Sequence, residues 1–177
     1  MLDIWQAAVE ELNQGRDCVL ATILSVRGSS PRHVGTRFFI RWDGKTVGTI
    51  GGGLFESQVQ EVAAEVFKDR ISCRAVFSFT GKDHESSQMI CGGEADVLVE
   101  LVDASDQDLL VLFTRLLAST RERGAAFLFT ALPMPLGGAV SGSLKRLLVE
   151  ADGTRTGGFP GDLSAVEAMP EFRLLKQ

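Results

Sequence analysis

RFFIRWDGKTVGTIGG, residues 37–52, decides how this chain is read. Two apolar runs flank Asp43-Gly44, and Asp-Gly between strand-forming residues is a strong β-hairpin signal. The layout returns without gaps as RLLVEADGTRTGGFPG at residues 146–161. Identities fall at Arg37/Arg146, Asp43/Asp152, Gly44/Gly153, Gly48/Gly157 and Gly52/Gly161. The runs before the hairpins, VLATILSV and FLFTALPM, are alike in character. Such self-similarity predicts a duplicated strand–loop–hairpin–helix unit; the alternative is chance likeness between two Asp-Gly hairpins. The expected organisation is one domain over 1–177, with halves at about 16–103 and 124–177.

The flanking segments fill in the architecture. Asp3 with Gln6 resembles a capping box, and Trp5, Ala8, Val9 and Leu12 follow at helical spacing up to Gly15. CVLATILSV is β-branched and apolar enough for a buried strand. After the first hairpin, Phe55, Val59, Val62, Ala63, Val66 and Phe67 form one helical stripe. SCRAVFSF and EADVLVELV read as strands around a polar loop. Ser105 with Asp108 opens a helix closed by Gly124, and AAFLFTAL is a further strand. Strands alternating with helices give an α/β class, with α+β left open, and hairpins at both ends make a mixed β-sheet with flanking helices.

Composition narrows the function. A charge of -5 argues against nucleic acid, whose binders usually carry a basic patch. The N-terminus is amphipathic and acidic, unlike a signal peptide. Apolar runs fall short of the roughly 20 residues that span a bilayer, so no membrane partner is expected. Cys18, Cys73 and Cys91 are odd in number and lack CxxC spacing, which points to a reduced, cytoplasmic setting.

Three segments could carry chemistry. In GTIGGGLFESQVQEV, starting at Gly48, a strand ends in Gly51, Gly52 and Gly53 and passes into a helix. Backbone N–H groups at the positive end of a helix dipole make an anion site, and glycine lets a ligand approach them closely. A tight turn is the simpler reading, and neither GxGxxG nor GxxxxGK[ST] is present. The second copy, GFPGDL, lacks the three glycines and the glutamate, so the shared scaffold does not demand them. Glu56 falls in the first helical turn, either compensating the dipole or accepting from a ligand's N–H groups. Gly28-Ser29-Ser30-Pro31-Arg32 offers two hydroxyls, a rigid proline and a guanidinium suited to phosphate, or else solvated loop residues. Cys91, before Gly92 and Gly93, is either a small buried hydrophobe or a thiol activated by surrounding N–H groups. No Ser-His-Asp set is legible, and the lone loop histidines His33 and His84 carry little weight.

ATILSVRGSSPRHVG, WDGKTVGTIGGGLFE and CGGEADVLVE, taken in this order, resemble the XdhC/CoxI family of xanthine dehydrogenase accessory factors over about Cys18 to Glu100. The resemblance implies a maturation factor, more a chaperone than an enzyme. Such a factor binds molybdenum cofactor transiently, assists its sulfuration with a cysteine desulfurase, and delivers it to a xanthine dehydrogenase-type enzyme. The matched positions are Gly28 to Arg32 (Gly28, Ser29, Ser30, Pro31, Arg32), Gly35, Gly51, Gly52, Gly53, Glu56, Cys91, Gly92 and Gly93. On physical grounds, the expectation puts the phosphate at Gly51 to Gly53 and Arg32, pterin donors at Glu56, and molybdenum or its sulfur near Cys91.

Many relatives continue into a Rossmann-like domain that this sequence lacks, so no nicotinamide cofactor is expected. A separate Rossmann-domain protein is then a candidate partner. Leu54 stands where many relatives have Cys or Ala, which leaves Cys91 as the only motif thiol. Two other readings stay open: a docking module for that Rossmann partner, and a Cys91-dependent sulfurtransferase or oxidoreductase. Sheet edges would allow a homodimer.

Overall fold

A computed structural model describes residues 2–30, 32–78, 93–122, 125–132, 139–141 and 143–158. Helix α1 (Leu2–Asn13) precedes strand β1 (Cys18–Arg27) and the hairpin β2 (Arg37–Arg41) and β3 (Thr46–Gly48). Helix α2 (Gly53–Asp69), β4 (Ile71–Ser78), β5 (Glu94–Val102) and α3 (Gln107–Arg121) follow. The described chain closes with β6 (Ala126–Thr130), β7 (Ala139–Ser141), β8 (Arg146–Glu150) and β9 (Arg155–Gly157).

A six-stranded sheet runs β3-β2-β1-β5-β4-β7, and a separate three-stranded sheet runs β6-β8-β9. The class is α+β, within the α/β-or-α+β expectation. Where a mixed sheet was expected, every described pairing is antiparallel. Hairpin links and the β5 return between β1 and β4 leave no described neighbours running the same way.

Alternation along the strands separates two cores. Val19, Ala21, Ile23, Phe38, Ile40, Val97 and Val99 meet α2 through Phe55, Val59, Ala63 and Val66. On the other face, Cys18, Leu20, Phe39 and Val102 meet α1, α3 and Leu148 of the small sheet. The predicted helical stripe is thus the buried face of α2.

The two hairpins are built alike. Phe38–Gly48, Phe39–Val47 and Ile40–Thr46 pair in one, and Leu147–Gly157, Leu148–Thr156 and Val149–Arg155 in the other. Gly44 N–H donates to the Arg41 carbonyl at 2.9 Å, and Gly153 N–H to that of Glu150 at 2.9 Å. Asp43 accepts from Lys45 N–H and Asp152 from Thr154 N–H, so each turn carries the same side-chain bond. Both glycines have positive φ, 81° and 85°, which explains the glycine in each turn.

The likeness reaches back into the preceding helices. Arg37 stacks over Trp5 at 5.1 Å and Arg146 over Phe113 at 5.7 Å, and the Trp5 and Phe113 rings meet at 5.2 Å. The matching described unit is therefore helix–strand–hairpin, α1-β1-β2-β3 against α3-β6-β8-β9. The helix expected after the second hairpin lies outside the described residues.

Candidate functional site

Topology gathers the motif loops at one end of the large sheet. Arg27, the last residue of β1, pairs with Glu94, the first of β5. Gly48, the last residue of β3, pairs with Phe38 near the start of β2. Residues 28–30 and 32–36, the 49–52 connection and Gly93 consequently share that end. A register shift between Ile23 and Ser25 bends β1 just before it.

Gly93 explains part of the third motif. A Cβ there would lie 2.2 Å from the Ser29 carbonyl oxygen and 2.7 Å from that of Arg27. Only glycine lets β5 pass so close to the 27–29 backbone, so Gly93 locks two motifs together by packing. Ser30 Oγ donates to the Arg32 carbonyl at 2.9 Å, a local turn bond. Arg32 is exposed, as are Gly28 and Ser29. Gly35 has φ 83°, and its N–H donates to Ile23 O at 2.8 Å, folding the loop back onto β1. Pro31, Cys91 and Gly92 lie outside the described residues.

The triple glycine is both a strained turn and a donor cradle. Gly51, Gly52 and Gly53 have φ of 137°, 75° and 57°, a succession that side chains disfavour. The donors meet the chain's own carboxylate. Glu56 Oε1 accepts from Thr49 Oγ1 at 2.5 Å, Ile50 N–H at 3.2 Å and Gly52 N–H at 2.9 Å. Gly51 N–H donates to Thr49 Oγ1 at 3.2 Å. Glu56 is thus neither a simple first-turn charge nor a free acceptor; it is held through one oxygen by the loop before its helix. No side chain caps α2 at Gly52. The N–H groups of its first turn, from Gly53 to Phe55, carry the positive end of the helix dipole.

Beside this cradle lies an open cavity of about 550 Å³, lined by Ile4, Val34, Gly35, Thr36, Arg37, Gly48 and Thr49. Its volume is in the range of small-molecule sites. Burial pushes the Arg37 guanidinium below its usual range, with the nearby Arg146 charge adding to the effect. Thr49 and Arg37 were not singled out in the sequence. The signals were there: Thr49 sits directly before the Gly turn, and Arg37 recurs as Arg146. A second cavity of about 310 Å³ occupies the like position in the other half, where Leu112, Lys145, Arg146, Gly157 and Gly158 line it.

Thiols and metals are constrained as well. Burial pushes the Cys18 thiol far up, and Glu11 and Asp17 add to it. Cys73 is raised by burial and then by Glu65. Neither is a thiolate at neutral pH. Among the described residues no three His, Cys, Asp or Glu side chains group to hold a metal, and no helix is long and apolar enough to cross a membrane.

Glu56 is held by Thr49, which itself lines the open cavity. Residues 11–79 match the XdhC and CoxI family. The matched segment is the one whose motifs led us to expect it; the match includes Glu56 and ends before Cys91. An Escherichia coli K12 relative, the molybdenum cofactor insertion chaperone PaoD, is 29% identical over 113 residues, 64% of this chain and 35% of PaoD. The uncharacterized YqeB of the same organism is 31% identical over 102 residues, 56% of this chain and 18% of YqeB. The chain thus aligns with about a third or less of these relatives' lengths. A solved Bacillus halodurans chain described as a xanthine dehydrogenase shares the fold, with TM-score 0.69 and 21% identity over 93% of this chain and 49% of that one.

Proposed function

We propose that this chain carries molybdenum cofactor as cargo and hands it to a xanthine dehydrogenase-type enzyme during maturation. The observation that carries the reading is Glu56, fixed by three donors on one oxygen inside the family-matched segment. A carboxylate held this way accepts from a pterin N–H without first losing its own order. The name of PaoD, an insertion chaperone for this cofactor, supports the choice of ligand. The cofactor itself supplies the molybdenum and its exchangeable ligand; the chain's residues bind and orient it.

We assign the phosphate to a different part of the proposed site than the sequence alone suggested. Ile50 and Gly52 N–H already serve Glu56, and Gly51 N–H serves Thr49. The terminal phosphate is therefore assigned to the first-turn N–H groups of α2, from Gly53 to Phe55, with exposed Arg32 as the cation beside them. Gly28 to Ser30 and Gly35 shape the loop beside it. Cys91, two residues before Gly93, is the thiol we assign near the metal or the transferred sulfur; Cys18 and Cys73 are unsuited.

In this reading the chain is a cytoplasmic, non-enzymatic factor of a single domain with two like halves. A cysteine desulfurase, the client enzyme and a separate Rossmann-domain protein are its partners, and a second copy can pair along edge strand β3. Val34 and Leu54 are 58% and 56% exposed at the site end, which offers a client apolar contact beside the cargo.

The test is reconstitution. Cofactor-loaded chain should activate a cofactor-free xanthine dehydrogenase-type enzyme several-fold faster than the same amount of free cofactor, and Glu56→Gln should remove most of the gain. Activation no faster than with free cofactor would sink the reading. A persulfide formed on Cys91 by a desulfurase and cysteine, with no cofactor retained, would turn the assignment to a sulfurtransferase.

A further inference from the structure

One hydroxyl organises the Glu56 cradle. Thr49 Oγ1 donates to Glu56 Oε1 at 2.5 Å and accepts from Gly51 N–H at 3.2 Å, so it joins the turn to the carboxylate. Ile50 and Gly52 N–H complete the set on the same oxygen. Among the described residues, no hydrogen bond falls on Oε2. Thr49 is itself exposed and lines the 550 Å³ cavity, so the cradle and the cavity meet at this residue.

We propose that Thr49 is the positioning residue of the site, one that commits Oε1 to the loop and leaves Oε2 as the single acceptor for a ligand N–H. The proposal rests on the reading of Glu56 as the cargo's acceptor. Its consequence is a rule of specificity. A carboxylate with both oxygens free takes a forked pair of donors, as it does with guanidinium. Here Oε1 already serves three donors, so Glu56 meets its ligand through one oxygen. The fitting ligand is a heterocycle that presents a ring or amino N–H to one acceptor and draws the rest of its affinity from groups elsewhere, such as an anion at the helix start. A free guanidinium compound gains nothing from the fork it offers.

The hydroxyl, rather than the shape of the side chain, carries this role. Thr49→Val keeps the shape and removes the bond, whereas Thr49→Ser keeps the bond. Titrated with molybdenum cofactor, Thr49→Val should bind about tenfold more weakly than wild type, the scale of one hydrogen bond to a charged group. Thr49→Ser should stay within about twofold of wild type. Because Thr49 is exposed, the melting temperature of Thr49→Val should shift by no more than about 2 °C. In a Glu56→Ala background, Thr49→Val should add little further loss, since the hydroxyl acts through the carboxylate. Wild-type binding with an unchanged Thr49→Val, or a Thr49→Ser as weak as Thr49→Val, would overturn the proposal and leave the cargo reading standing. A wild type that binds no cofactor would overturn both.

Discussion

The two cavities share a plan and differ in equipment. Each has an aliphatic residue from a helix, Ile4 or Leu112, and a strand arginine, Arg37 or Arg146. Each also has a positive-φ glycine closing the third strand, Gly48 or Gly157. In the second half Gly158 stands where the first has Thr49, so the hydroxyl that holds Glu56 has no counterpart. The arginines have diverged too. Arg37 is half-buried against the larger cavity, while Arg146 is 5% exposed and ion-paired with buried Glu100. The scaffold alone therefore makes a hollow; in the proposed reading, one hydroxyl, a glycine turn and a carboxylate add an acceptor beside it. The second half has put its arginine to structural use.

The sharpest way to break that contrast is to truncate both arginines. Arg146→Ala takes the paired cation from buried Glu100, leaving only the unpaired influence of the nearby Arg37 charge, and should cost about 4 kcal/mol in urea unfolding, as loss of one member of a buried pair does. Arg37→Ala loses, among its contacts, the stack on Trp5 and the bond to the Gly35 carbonyl, and should cost about 1–2 kcal/mol. Equal costs would erase the proposed division of labour.

The strand-closing glycines give the next largest effect. A Cβ on Gly157 would lie 2.3 Å from the Arg146 carbonyl oxygen. On Gly48 it would meet the Ile4 Cδ1 at 2.9 Å and the Arg37 carbonyl oxygen at 3.0 Å, and the first of these can swing aside. Gly157→Ala should destabilise by about 3 kcal/mol and Gly48→Ala by about 2 kcal/mol, from positive-φ strain plus crowding. Thermal melts of the two variants compare the halves directly.

A smaller effect in the first half follows pH. Glu11 clamps Arg16 and Arg41, and its carboxyl is held below the ordinary 4.5 first by the Arg16 bond, against burial, and then by the Arg41 bond. In the second half the helix position is Ser119, whose Oγ donates to Glu150, and the carboxylate of that contact sits on the strand, paired with Arg115. A lowered folded-state value means that Glu11 contributes in full above pH 4.5 and loses its contribution as pH falls through the folded value. Glu11→Gln should cost about 2 kcal/mol at neutral pH, with the gap to wild type closing below the ordinary carboxylate range. Urea titrations at several pH values would show this; a gap that widens in acid would contradict it.

Much of the fold was legible because local chemistry and tertiary packing agree. Strand β5 has the bounds of EADVLVELV, and both Asp-Gly hairpins form where the turn residues placed them. The misses have physical causes. KTVGTI read as strand through Ile50, yet β3 ends at Gly48 because Ile50 N–H turns to Glu56. Asp106 rather than Ser105 caps α3, since Ser105 Oγ donates to Asp103 at 2.7 Å. The three residues of β7 exist through pairing with β4, which their own composition cannot announce. At the site, the pattern located the Gly turn and Glu56, but not that the turn's donors would be spent on that glutamate. That outcome depends on backbone directions at three successive positive-φ residues.

The most direct test is cofactor retention by three forms of the chain, wild type, Glu56→Ala and Lys145→Ala, each incubated with excess molybdenum cofactor and separated from free ligand. The account predicts near-stoichiometric pterin on wild type and on Lys145→Ala, whose change lies in the second cavity, with less than about a tenth of that on Glu56→Ala. Equal retention by Glu56→Ala, or none by the wild type, would contradict it.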